Sequence, residues 1–114
     1  MLTVAAVWML GNFSSTTGRA VQIRLLEEAQ RRFEAEDAWW RANRDAKNLF
    51  TLEFAAALSR LSVQPEAGQH YRLCRGRLIQ RLLLGKTRCH AYYCFDRERD
   101  LVEVHTIWGA DARV

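Results

Sequence analysis

Arg88, His90 and Tyr92 alternate along one short apolar and aromatic run of a 114-residue chain. On a strand, such alternation puts the guanidinium, the imidazole and the phenol on one face. Arg81, in the preceding run, can join them from a neighbouring strand. Cleavage of RNA through its own 2′-hydroxyl needs groups of these kinds: a base for the hydroxyl, a cation for the phosphate and an acid for the leaving oxygen. His90 titrates in the range that lets a side chain serve as base or acid. The same spacing also suits plain cross-strand packing on a half-exposed strand, and the residues alone leave both readings standing.

Around these residues the charge is one-sided. From Met1 to His70 basic and acidic residues balance, so the whole net charge of +4 comes from Tyr71 onward. Between Arg72 and Arg88 there are Arg72, Arg75, Arg77, Arg81, Lys86 and Arg88, with no acidic residue among them. A block of one sign attracts an acidic partner, whether nucleic acid or an acidic protein segment. An ordinary solvated face is the other meaning such a block can have.

Cys74, Cys89 and Cys94 are an odd number with no C-x-x-C pair, which suits reduced thiols in a cytoplasm rather than a disulfide framework. Adjacent Cys89 and His90 are not spaced like a structural zinc pair, so no metal or cofactor is expected and the cysteines read as small apolar fillers. Trp39 and Trp40 are neighbours on a predicted helix, about 100° apart around its axis. One therefore packs inward and the other sits at the edge of the helix pair, where it can anchor a partner. Burial of both by neighbouring loops is the alternative.

With 49% hydrophobic and 26% charged residues, the composition belongs to a folded domain. It excludes a disordered tail, a collagen-like repeat and a multidomain enzyme. No apolar run reaches the roughly 18 residues of a membrane span. Residues 1–19 form an extension of uncertain structure, apolar from Leu2 to Leu10. That extension lacks the basic start and the cleavage site of a secretory leader. Residues 20–114 are expected to form a single domain.

Within that domain, Ala20 to Leu26 alternates as a short strand. A long helix is predicted from Glu27 to about Arg44, with Leu26, Ala29, Phe33 and Trp40 on one stripe that Glu36 and Asp37 interrupt. Glu27 with Arg31, Glu28 with Arg32 and Asp37 with Arg41 are acid-first pairs four residues apart. Asn48 or Asp45 is placed to cap a second helix, Leu49 to about Leu61, antiparallel to the first. After the Pro65-Glu66-Ala67-Gly68 turn come three strand-like runs: Tyr71–Leu84, Arg88–Phe95 and Leu101–Trp108. Short connections make them an antiparallel meander. The fold class is therefore α+β: one strand, a helical hairpin and a three-stranded meander, with both helices on one sheet face. Alternation then turns Val102, Val104, Thr106 and Trp108 inward, and leaves Glu103 and His105 on the open face.

This element order resembles the RelE/ParE superfamily of toxins from type II toxin–antitoxin modules. So do the "PEAGQHYR" turn and the stretch "RLLLGKTRCHAYYCFDRERDLVEVHTIWGA". The likeness runs from about Ala20 to Ala110. It implies a cytoplasmic growth inhibitor, of the kind that stabilises plasmids, neutralised by a cognate antitoxin whose disordered tail folds on the toxin. One branch poisons DNA gyrase without chemistry of its own. Another cleaves mRNA in the ribosome. Arg88 best matches the arginine that the family carries on its middle strand. Nuclease-type members commonly end in a His-Arg or His-Tyr element, and this chain reads Trp108-Gly109-Ala110-Asp111-Ala112-Arg113 there, which points to the gyrase branch. An acidic antitoxin tail would then lie across the basic face and an apolar groove beside the helical hairpin, held by Arg72, Arg75, Arg77, Arg81 and Arg88. On the nuclease alternative, Arg81, Arg88, His90 and Tyr92 would be catalytic. A degenerate toxin kept only as a binding partner is the third possibility.

Overall fold

A computed structural model describes residues 21–109, so the extension before them and the residues after Gly109 lie outside the description. The elements are β1 (Gln22–Leu25), α1 (Glu27–Asn43), α2 (Leu49–Val63), β2 (Gln69–Cys74), β3 (Arg77–Leu84), β4 (Cys89–Asp96) and β5 (Leu101–Gly109). The fold is α+β, with two helices and a five-stranded mixed sheet in the order β1-β5-β4-β3-β2. β1 runs parallel to β5 and the other pairs are antiparallel.

Three phenylalanines hold the helices together. Phe33 on α1 lies 5.5 Å from Phe50 and 5.3 Å from Phe54 on α2, ring centre to ring centre. All three are fully buried, and beneath them the sheet contributes Ile23, Leu82, Leu84, Ala91, Tyr93, Val102, Val104 and Ile107. Glu36 and Asp37, which break the apolar stripe in sequence, also point inward. Asp37 is 2% exposed. Its carboxylate accepts from Arg41 Nε at 3.1 Å and from Thr51 Oγ1 at 2.8 Å, which is how a buried charge avoids standing unpaired. Glu36 accepts from the buried Cys89 thiol at 3.6 Å. Asn48 occupies the cap position of α2, but its side chain makes no capping bond.

Two expectations need correction. Tyr71–Leu84 is not one strand but a hairpin, β2 and β3, folded at Arg75-Gly76. Both turn residues have positive φ, 54° and 78°, as a two-residue turn matching the strand twist requires. The meander therefore has four strands. On β5 the alternation breaks. Tyr92 pairs with Thr106 but Tyr93 pairs with Val104, so His105 is an extra residue, a β-bulge. Val102, Val104 and Ile107 are the inward residues, whereas Trp108 is 50% exposed and, with Thr106, lies on the open face.

Gly68 closes the path from α2 into the sheet. Its N–H donates to the Tyr93 hydroxyl at 2.8 Å. A β-carbon there would sit 2.7 Å from that hydroxyl and 2.7 Å from the Arg81 carbonyl oxygen. Gly85, by contrast, has open space where a β-carbon would go. Gly68→Ala should therefore lower stability by about 1–3 kcal/mol, through overpacking against backbone. Gly85→Ala should change it by less than about 0.5 kcal/mol, as a surface substitution does. Urea denaturation of the two variants checks the difference, and equal midpoints would refute the close approach.

Candidate functional site

Because both helices pack on one side, the far side of the sheet carries the polar half of each strand. Cross-strand pairing sorts it into rows. One row runs Leu83, His90, Trp108 and the next runs Arg81, Tyr92, Thr106. A third runs Arg72, Ile79, Cys94, Glu103 and ends on Arg24 of β1. Ile79 and Cys94 are buried although they lie outside the main core, so this face has an apolar floor of its own.

Over that floor is a hollow of about 340 Å³, lined by Tyr71, Arg72, Ile79, Tyr92, His105, Thr106 and Trp108. The Tyr71 and Tyr92 rings meet edge to face at 5.0 Å. The Arg81 guanidinium lies 5.3 Å from the Tyr71 ring centre, within cation–π range. Beside the hollow, His90 lies 6.1 Å from Tyr92. At the far wall Arg32 of α1 reaches round the sheet edge. Its guanidinium stacks 3.8 Å from the Trp108 ring centre, and its Nε donates to the Ile107 carbonyl at 3.0 Å. Thr106 donates to Glu28 at 3.0 Å, so α1 fixes this wall from outside. Arg81 Nε and His105 Nε2 are buried without a hydrogen-bond partner among the described residues.

The structure thus brings Arg81, His90 and Tyr92 together, with Arg72 near them. Arg88 does not lie on β4. It ends the β3–β4 turn with φ 63°, at the tip of the hairpin, and its charge still reaches His90. Glu53 of α2 holds that turn, accepting from the Lys86 and Thr87 backbone N–H groups at 2.7 and 2.9 Å and from the Thr87 hydroxyl at 2.8 Å. Arg75 sits at the tip of the β2–β3 hairpin, at the opposite end of β3. Arg77 lies on the open face but is engaged by Glu103 at 3.2 Å, and Arg24 approaches the same carboxylate at 3.8 Å. The five arginines expected to act as one surface are therefore divided: Arg72 and Arg81 at the hollow, Arg77 neutralised, Arg75 and Arg88 at opposite tips.

The tryptophans divide too. Trp40 is 8% exposed and belongs to the core. Trp39 is half-buried against it, with the Arg44 guanidinium 5.1 Å from its ring centre. Beside the helical hairpin the surface is mixed rather than simply apolar, with Glu53 and Arg60 among its lining. It forms a depression of about 200 Å³ between Ala56 and Ala57 of α2 and Leu82–Leu84 of β3.

Tyr71, His105, Thr106 and Trp108 were not among the expected site residues. The signal for the last three is the polar pair His105-Thr106 set between Val104 and Ile107. That pair breaks strict alternation and marks the bulge. No family model, curated protein or solved structure matches the chain.

Burial, then the Arg81 guanidinium, then that of Arg88 hold His90 below its ordinary value of 6.5. These neighbours favour the neutral imidazole. Burial pushes the Cys94 thiol up, so that sulfur is a poor nucleophile. For His90 the unfolded chain binds a proton that the folded chain resists. The group thus costs no stability well above pH 6.5 and destabilises increasingly as pH falls from 6.5 toward the folded value. Arg81→Ala should raise the His90 titration midpoint toward 6.5 in an NMR titration of the ring. An unmoved midpoint would show that Arg81 is not the neighbour that matters.

Proposed function

We propose that this chain is a growth-inhibiting toxin of the RelE/ParE type. On this proposal it acts in the cytoplasm through its open sheet face and is neutralised by the acidic tail of a cognate antitoxin. The observation that carries the proposal is the uncovered face: two arginines, Arg72 and Arg81, stand round an aromatic hollow that no helix among the described residues shields. The order of elements, strand, helical hairpin and meander, supports it as well. The extra strand β2 departs from the three-stranded meander of the resemblance.

The mode of action proposed first is binding without chemistry, with DNA gyrase as the inherited target. Arginine suits such a surface, because its planar fork takes carboxylates or phosphates at two points. One specific observation favours a second mode, ribosome-dependent cleavage of mRNA. His90, whose neutral form its surroundings favour, lies beside Tyr92 and is flanked by Arg81, so a base, a hydroxyl donor and a cation share one corner of the face. His105 is a second imidazole in the same hollow.

Induced expression in a gyrase-sensitive bacterium separates these modes. Gyrase poisoning should give filamentous cells with a DNA-damage response, and His90→Ala should leave that arrest intact. Cleavage should give rapid translational arrest, and His90→Ala should slow mRNA cutting by about 100-fold or more, as loss of a general acid or base does. On either mode Arg81→Ala should weaken the arrest. Normal growth with the unaltered chain at verified expression would overturn the toxin proposal.

A further inference from the structure

The hollow is not the sheet's one unfinished surface. β2 ends the sheet, and all six of its residues are exposed. The opposite edge, β1, has four residues, of which Ile23 and Leu25 are buried. Along one side β2 bonds to β3; along the other no strand lies beside it among the described residues. Leu73 is 71% exposed, more than any other large apolar residue described. A long, exposed, apolar strand edge is a template for another strand, because its outward N–H and C=O groups still need partners.

Charge selects the occupant. Neither β2 nor its turn contains an acidic residue, and Arg72 and Arg75 pair with no carboxylate among the described residues. A second copy of the chain would set these arginines against their own kind, which disfavours pairing. A nucleic acid would meet the charge but cannot continue a ladder of alternating amide donors and carbonyl acceptors. The register adds a pattern. Arg72 is opposite Ile79, on the open face, whereas Leu73 is opposite Leu78, on the other. A strand laid beside β2 therefore needs acidic side chains on one face and apolar ones on the next.

We propose that β2 accepts a sixth strand, an extended polypeptide segment alternating acidic and apolar residues. Its carboxylates meet Arg72 on the open face and, at the end of the strand, Arg75 at the hairpin tip, and its apolar side chains cover Leu73. The toxin reading is needed only to name this segment as the antitoxin tail; the surface itself stands without it.

The test is amide hydrogen exchange of the full chain with a terminally blocked peptide of alternating Glu and Val, and with its alternating Lys and Val counterpart. With the acidic peptide saturating, β2 amides should exchange about tenfold more slowly while β1 amides keep their rates. Arg72→Glu with Arg75→Glu should weaken binding about tenfold or more, by replacing attraction with repulsion. Leu73→Lys should weaken it as well, and at an exposed position it should leave thermal unfolding unchanged. No protection of β2, protection at β1 instead, equal binding of the Lys peptide, or undiminished binding by the charge-reversed variant would each overturn the proposal. Growth arrest is scored separately. A chain that binds the peptide but arrests nothing keeps the β2 surface and loses the toxin reading, and a chain that arrests growth without binding it does the reverse.

Discussion

Two helices lie on this sheet, both on the same side, and that one-sidedness is the constraint from which the rest follows. The Phe33, Phe50 and Phe54 cluster locks α1 to α2 and seats the pair on Ile23, Val102, Val104, Ile107, Ala91 and Tyr93. Alternate residues of β1, β3, β4 and, on either side of its bulge, β5 are thereby drawn inward, and their neighbours are left on the far face. The buried Asp37 shows how strong the demand is. A carboxylate in the helix interface is retained because Arg41 and Thr51 meet it there, not because the position is wet. The far face then has to solve a different problem, which is to remain soluble over an apolar floor of Ile79 and Cys94. It does so with Arg77, Glu103 and Arg24 as a bridged row at one end, and with the aromatic hollow further along.

Most of this architecture was legible in the sequence, because periodicity reports burial directly. Both helices begin at the residues that the apolar steps and the leading acids mark, and Arg31 meets Glu27 and Arg41 meets Asp37 as the spacing requires. Glu28 and Arg32 did not pair. They serve Thr106 and Trp108 at the sheet edge, a long-range use that no local spacing encodes. The strands were found, but their punctuation was not. Arg75-Gly76 has the glycine that a two-residue turn wants at its second position, yet the first position holds an arginine at φ 54°, which hid the turn within a basic run. Arg88 hid in the same way. It looks like the first residue of a strand and is the left-handed last residue of a turn.

The bulge at His105 had the largest consequence for the site. A single inserted residue reverses the facing of everything after it, so Ile107 enters the core and Trp108 leaves it. Strict alternation predicted an inward tryptophan and an open face of arginines. The bulge instead supplies the far wall of the hollow, with His105 and Thr106 both on the side where a regular strand would put only one of them. Packing energy explains why the shift is tolerated. Ile107 is fully buried, while the displaced Trp108 finds the Arg32 guanidinium as a stacking partner at 3.8 Å.

If the proposed function holds, division of the arginines by the fold bears on how one small surface could serve both a target and an inhibitor. Had Arg72, Arg75, Arg77, Arg81 and Arg88 formed a uniform patch, any polyanion would compete equally at every point of it. Instead Arg77 is engaged by Glu103, and Arg75 and Arg88 stand at opposite hairpin tips. Only Arg72 and Tyr71 belong both to the edge strand and to the hollow. A segment seated along β2 must therefore touch the hollow's rim, while a ligand confined to the hollow need not touch the strand edge. On the proposed function, such an arrangement would make inhibition stronger than simple overlap of charge. On that proposal, an inhibitor seated along β2 would gain a ladder of backbone bonds that a ligand confined to the hollow cannot match, and it would use the shared rim to deny that ligand its place. One tyrosine, Tyr71, and one arginine, Arg72, join the two surfaces.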